Sequence, residues 1–489
     1  MFAFAVGSLG ACADLAELDL RAPRPFEQRV RPTEGGDLFS FDAGATVLSH
    51  DSTGGHFKVW YAIDTSDAVP LADADHSGVP DYVELVANRY DDVIAFYVDS
   101  LGFRPPVDDT SLGLNNDGGD ARFDVYLVDF DHVGDGVFGI DGCVGSSDRC
   151  AGYMAMENDF AGYGYPSLSV AVTVLSSHEF FHAIQAAYDS GQDSWWTEAT
   201  ATWAEEHFDP SQEDFEGFLS GYLDNPDRSM DVPPIGSVDS FSYGLAIWAE
   251  FLSEAVGPDA VRHIWEDLEN GANGVADPQG LATIDATLQR VYSASFASAF
   301  TEFAIWNLHT GPFAVAGQHY AEGADYPIVA RQWQGALPMT DQLRVYHAST
   351  QYLQGRLEGR SQVTAAFVEA APPELRVGLV LERGSERTDP LWLDDLDAEW
   401  PAAADSTGYD SAILVVVNTA IEGSSARPTL CFGSPEEVHL CRFGEGGGGD
   451  QPPPGDQPDP GCGCQGAPAS APLLVLGAVL APVLRRRRS

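Results

Sequence analysis

The chain has 489 residues, 44% of them hydrophobic and 11% aromatic, which is too many for one compact core and suits two or three domains of ordinary size. Its 74 acidic against 25 basic side chains give a formal charge of −49, a balance that repels nucleic acid and anionic lipid and excludes a DNA-binding role. Lysine occurs once, at Lys58, so the charge reads as solubility together with capacity for cations such as calcium.

Residues 1–13 (MFAFAVGSLGACA) are apolar and small, and are expected to be a signal or lipoprotein-like leader. Leu9-Gly10-Ala11-Cys12 has the form of a lipobox with Cys12 as the lipid acceptor, while Ala11-Cys12-Ala13 also fits an A-x-A cleavage site. Residues 14–55 are rich in Arg, Pro and Gly and read as an N-terminal arm or a propeptide, with both alternatives open.

A regular pattern starts at His56 and opens an expected α+β domain, 56–335. His56 to Ile63 reads as a strand, Asp81 to Leu101 as an amphipathic helix, and Arg122 to Phe130 (RFDVYLVDF) alternates like a half-buried strand. Between the first two, the stretch from Asp73 to Glu84 places oxygen-bearing side chains at loop positions 1, 3, 5, 9 and 12 and Gly78 at position 6, the spacing of an EF-hand loop. Asp73, Asp75, Ser77, Asp81 and Glu84 are therefore the expected calcium ligands; the alternative is a solvated acidic turn. Pro80 and the lack of an entering helix make it an isolated loop. Asn115 to Asp120 (NNDGGD) is a weaker candidate of the same kind.

Cys143 and Cys150 lie close together in one loop, and Cys431 and Cys441 flank another. Neighbouring pairs of this sort suit local disulfides, Cys143–Cys150 and Cys431–Cys441, made in an oxidising compartment. Zinc binding by these thiols is the weaker alternative, since no C-x-x-C pair recurs. Ala151 to Asp159 (AGYMAMEND) is expected to be an edge strand that pairs with substrate backbone.

From Ser169 onward helical periodicity dominates, over Thr197 to His207, Glu213 to Leu223, Tyr243 to Val256, Asp259 to Asn270 and Ser293 to Leu308. Near its start stands His178-Glu179-Phe180-Phe181-His182. Two histidines four residues apart project from one helix face and can share a metal ion, with Glu179 beside them as a base for a water. A third ligand is required, and Trp195-Trp196-Thr197-Glu198-Ala199 offers Glu198 with fifteen residues between it and His182. Otherwise Glu198 is a first-turn acid favoured by the helix dipole, with Glu205 and Glu206 in reserve.

This order of residues resembles the gluzincin arrangement, in which H-E-x-x-H is followed by a tryptophan and then a ligand glutamate three positions later. The resemblance implies a zincin-like peptidase domain in which His178, His182 and Glu198 bind catalytic zinc and Glu179 is the general base. Many gluzincins carry an acid four positions after the ligand glutamate to orient a zinc histidine. Thr202 stands there instead. Glu205, seven residues after Glu198, returns to nearly the same face and is the expected replacement. Tyr243 or His207 could donate to an oxyanion; otherwise Tyr243 is core and His207 a helix-end cation. Ala155-Met156-Glu157-Asn158 resembles the G-A-M-E-N strand of metalloaminopeptidases, which would make Glu157 a ligand of the substrate amine rather than a strand-end acid.

From Leu343 short strand-like runs such as Leu375 to Glu382 and Ala412 to Val417 alternate with turn residues, and 340–444 is expected to be a small β-sandwich. A Gly/Pro/Asp linker, 445–465, follows. Within the last segment, 466–489, Gly466 to Leu484 is an uncharged run of 19 residues ending in Arg485 to Arg488, the form of a membrane span. With Cys462 and Cys464 before it, this ending resembles the MYXO-CTERM sorting tails of myxobacterial surface proteins. HEFFHAIQ with the WTEA segment is similar to a family of myxobacterial metalloproteases over Asp51 to Leu308. Together they imply an exported, surface-anchored zinc endopeptidase acting on extracellular proteins or peptides. An aminopeptidase, and an inactive surface binding protein on a zincin scaffold, are the competing readings.

Overall fold

The computed structural model describes residues 27–444 apart from 37, 38, 146, 213, 234–238 and 424. The expected leader, linker and sorting tail lie outside the described residues. The fold is mixed α and β with several sheets, and among the described residues no helix is long and apolar enough to cross a membrane.

The first sheet comprises β1 (Glu27–Gln28), β2 (Val47–Asp51), β3 (Phe57–Ala62), β4 (Phe123–Val128), β5 (Gly136–Cys143) and β6 (Cys150–Glu157), in the order β1-β5-β6-β4-β3-β2. β2 pairs antiparallel with β3, so the segment read as an arm or propeptide supplies a strand of this sheet. Arg31, further upstream, is buried and its guanidinium pairs with Asp109, Asp124 and Asp141. An ion so placed binds the segment around Arg31 to the sheet, because removing it would leave three carboxylates buried without a counter-charge.

The expectation that Ala151 to Asp159 forms an edge is corrected. β6 lies inside the sheet, parallel to β4 on one side and antiparallel to β5 on the other. All eight of its residues are buried. A strand covered on both faces reads as a continuous apolar run, whereas an edge strand with a wet face alternates, and CAGYMAME does not alternate.

Helix α1 (Asp81–Ile94), continued by a π-helical turn over Ala95–Ser100, covers the sheet together with α2 (Leu168–Ala186). Phe57 of β3 meets Tyr90 of α1 and Phe180 of α2 at ring-centroid distances of 5.1 and 5.2 Å. α2 begins at Ser167, whose side chain accepts from Val170 N–H, and is buried around nearly its whole circumference. Then come α3 (Ser194–Phe208), α4 (Asp214–Leu223), α5 (Ser240–Gly244), α6 (Ala246–Phe251), α7 (Ala260–Leu268), α8 (Gly280–Thr287) and α9 (Phe296–Trp306). The helix expected over Tyr243 to Val256 is broken at Leu245, where α5 ends and α6 begins.

The remaining strands build a sandwich. β7 (Trp333–Ala336), β8 (Met339–Gln342), β9 (Ser349–Arg356), β10 (Gln362–Phe367), β11 (Leu375–Arg383), β12 (Glu386–Arg387), β13 (Leu391–Trp392), β14 (Ala404–Asp405), β15 (Ser411–Asn418) and β16 (Thr429–Gly433) form the sheets β14-β10-β16-β8 and β12-β11-β15-β9-β7, with β13 on β11. β7 pairs with β9, so the sandwich begins a few residues before 340. β15 (SAILVVVN) is buried throughout: Ala412, Leu414 and Val416 enter the sandwich core, while Ile413, Val415 and Val417 join the core of the helical part. Tyr352 of β9 donates to Ala304 O of α9 at 2.8 Å. The chain ends its described course in α10 (Pro435–Phe443), with Ser434 and Glu437 forming a capping box. Both expected disulfides, Cys143–Cys150 and Cys431–Cys441, are present.

Candidate metal centre

α2 and α3 carry the site, and their mutual position is held by Tyr97, whose hydroxyl lies 3.0 Å from Ser177 O on α2 and 3.1 Å from Ala204 O on α3. Across that contact His178, His182 and Glu198 each present one ligand atom, all within 4.8 Å of one another. Nε2 of His178 is 3.2 Å and Nε2 of His182 is 3.8 Å from Glu198 Oε2. All three residues are buried.

Each imidazole is anchored through its other nitrogen. Nδ1 of His178 faces Glu205 Oε1 in a short contact, so Glu205 takes the orienting place that Thr202 leaves vacant. Nδ1 of His182 lies 2.8 Å from Gln185 Oε1, and Gln185 Nε2 donates to Thr197 O and to Thr200 Oγ1 at 2.8 and 2.9 Å. Held through Nδ1 in this way, both rings turn Nε2 towards Glu198 Oε2, so that two imidazole nitrogens and one carboxylate oxygen converge as a tetrahedral N,N,O metal site demands. The donor set therefore fits zinc.

Charge in the site is predominantly negative. Burial, reinforced by Glu198, Asp135 and Glu205 against His178, pushes Glu179 up to about 8, and burial pushes Glu205 up to about 7. Burial, aided by His178, takes His182 down to about 4 and so keeps it neutral. Burial would raise Glu198, but hydrogen bonding from His178 and the two imidazoles hold it below its ordinary value, with Tyr243 as a further donor. A divalent cation relieves this excess of carboxylates.

Tyr243 of α5 belongs to the site, its ring centroid 5.8 Å from that of His178. His207 does not. It packs on Trp203 at 4.3 Å and faces Glu250. Glu157 is buried, and its carboxylate accepts from Phe130 N–H and Tyr163 O–H, each at 2.9 Å, which binds it to the fold. The strand that passes the site is β5: a Cβ on Gly136 would meet Leu175 at 2.7 Å and Glu179 Cγ at 3.1 Å, so its backbone runs flat against α2. Among the described residues, β1 pairs with β5 at Gly139 and Ile140.

In the expected calcium loop, carboxylate oxygens of Asp73, Asp75 and Asp81 converge within 4.8 Å. Asp73 and Asp75 accept from Ser77 N–H at 3.0 and 2.9 Å, and Asp73 also from Gly78 N–H. Gly78 has φ +90°, the conformation that position 6 requires. Glu84 stands in the first turn of α1 and is not part of the converging trio. In the second loop Asp120 pairs with Lys58 and Arg122, and Asp117 accepts from Gly119 N–H at 3.0 Å.

Two contributors escaped the sequence reading. Gln185 left a local signal, being a polar residue one turn after His182 in an apolar helix. Asp135, which receives Tyr165 O–H at 2.8 Å and acts on both His178 and Glu179, left none. No protein-family model matches the chain, and no curated protein matches it in sequence.

Proposed function

We propose that the chain is a zinc-dependent endopeptidase of zincin-like fold, exported and anchored at the cell surface, that cleaves extracellular proteins or peptides. The observation that carries this reading is the convergence of His178, His182 and Glu198 with both imidazoles anchored from behind and Glu179 alongside. When bound, zinc supplies Lewis acidity, which lowers the pKa of a water towards ~7 and polarises the scissile carbonyl. Glu179 accepts the proton of the attacking water and later delivers it to the leaving amine. Tyr243 is the candidate donor to the developing oxyanion.

Glu157 is the residue on which an aminopeptidase reading depends, and its carboxylate is committed to Phe130 and Tyr163. Retention of the whole H-E-x-x-H and glutamate set speaks against an inactive scaffold, since one substitution would suffice to end catalysis. The two disulfides are compatible with export. The resemblances to gluzincins and to MYXO-CTERM tails support the class and the location.

Zinc content of the purified chain, with hydrolysis of quenched peptides bearing free or blocked N-termini, tests the proposal. About one zinc per chain and cleavage of blocked peptides are expected. Cleavage restricted to free N-termini would make it an aminopeptidase, and a zinc-loaded chain inert towards every peptide would leave a binding protein.

A further inference from the structure

A cavity of about 730 Å³ opens where α9 meets the sandwich, and none of the residues lining it belongs to the metal centre. Two tryptophans line it, Trp306 at the end of α9 and Trp392 on β13. Both are half-buried, and both are held by their packing. Trp306 stands perpendicular to Phe251, His319 and Tyr320, at ring-centroid distances of 5.2, 5.6 and 5.0 Å. Trp392 pairs across the strands with Gly378, where a Cβ would lie 3.0, 3.2 and 3.3 Å from three neighbouring atoms of its six-membered ring. Distances so nearly equal mean that the ring lies face-on over the glycine. One face of the indole is thus laid on β11, and the other is left to meet a ligand.

The polar lining is exposed and mixed in charge. Glu302, one helical turn before Trp306 and on its face of α9, and Asp394, two residues after Trp392, supply carboxylates. Arg376 of β11 brings the opposite charge, and its Nη1 donates to Pro373 O and Leu375 O at 2.9 and 3.2 Å, which leaves its other N–H groups for a ligand. Thr301 Oγ1 donates to Ala297 O at 2.6 Å and keeps its lone pairs. Flat aromatic faces ringed by both donors and acceptors match a sugar ring, which is apolar C–H on its faces and hydroxyl, donor and acceptor at once, around its rim. Ions fit less well. An anion would meet two carboxylates in a chain of charge −49, while an ammonium group would meet Arg376 and fill only a fraction of the volume. The geometry points to a binding site for a short neutral oligosaccharide between α9 and the β11–β13 pair, stacked on Trp306 and Trp392 and hydrogen-bonded by Glu302, Asp394 and Arg376. Its volume lies within the ~300–1,000 Å³ of small-molecule sites. Because both rings are already fixed, binding orders few side chains. The site would tether the chain to glycan independently of the metal centre.

The test is isothermal titration of the full chain with cellohexaose, maltohexaose and N-acetylated chitohexaose, with tetramethylammonium chloride as the cationic control. At least one of the sugars should bind with a Kd below about 1 mM. Trp392→Ala should weaken that binding by about tenfold or more, the effect of losing one central aromatic anchor. Glu302→Gln, at an exposed position, should weaken it by about fivefold through one poorer hydrogen bond, with the circular dichroism of the parent. Titration reads binding and not hydrolysis, so the result stands apart from any peptidase assay. A parent that binds none of the three sugars, folded variants that bind them as the parent does, or a preference for tetramethylammonium would each overturn the site.

Discussion

Nδ1 of His182 lies 2.8 Å from Oε1 of Gln185, three residues further along the same buried helix, and Gln185 is held in turn by Thr197 and Thr200 of the next helix. The glutamine thus ties the orientation of one imidazole to the packing of the two helices that carry the site. Gln185→Leu keeps the volume and removes the acceptor. Zinc affinity, measured by competition with a chelating dye, should fall by about 10- to 100-fold while the helical circular dichroism stays the same. Unchanged affinity would reduce Gln185 to a core residue.

Glu179→Gln should keep zinc and lose peptidase activity. An amide is nearly isosteric and leaves the two histidines and Glu198 untouched, yet cannot accept a proton. General acid-base groups contribute ~10² to 10⁴ in rate, so kcat should drop at least a hundredfold with metal content constant. A variant that loses zinc as well would make Glu179 part of the metal's support.

Asp75→Ala should abolish the loop's share of calcium-dependent stability. Asp73, Asp75 and Asp81 are the only three residues of the expected ligand set that converge, so deleting one oxygen donor leaves too few. At free calcium a hundredfold above Kd the bound ion is worth about 2.7 kcal/mol. Tm is measured with and without calcium. A variant whose calcium response matches that of the parent would show that the loop is an acidic turn.

Asp109, one of the three acids around Arg31, gives the stability a pH dependence of definite sign. Burial pushes its carboxyl up to about 6, with Arg31 pulling the other way. A carboxyl whose folded pKa is raised favours the folded state below its ordinary value of 3.8 and loses that contribution as the pH rises through about 6. Asp109→Asn retains an oxygen to accept from Arg31 and removes the titration. Its Tm relative to the parent should therefore climb between pH 4 and pH 6, by a free-energy equivalent on the order of 1–3 kcal/mol. A difference independent of pH would mean that Arg31 keeps Asp109 ionised throughout.

Local pattern carried most of the elements and the heart of the site. The spacing of His178 and His182 needs only the helical repeat to place both rings on one face, and periodicity alone located the strand at Phe57–Ala62 and the helices at Asp81–Ile94 and Ser194–Phe208. Nearness in sequence likewise brought each cysteine of the two disulfides within reach of its partner. Tertiary structure decided what depends on which surfaces meet. Whether β6 is an edge follows from β5 pairing beside it, Glu157 is committed by a loop nitrogen and Tyr163, and Asp135 and Tyr243 reach His178 from parts of the chain far removed in sequence. A helix repeat or a turn is a property of a few consecutive residues, whereas sheet order and carboxylate clusters arise only when distant segments pack, and no local periodicity records that choice.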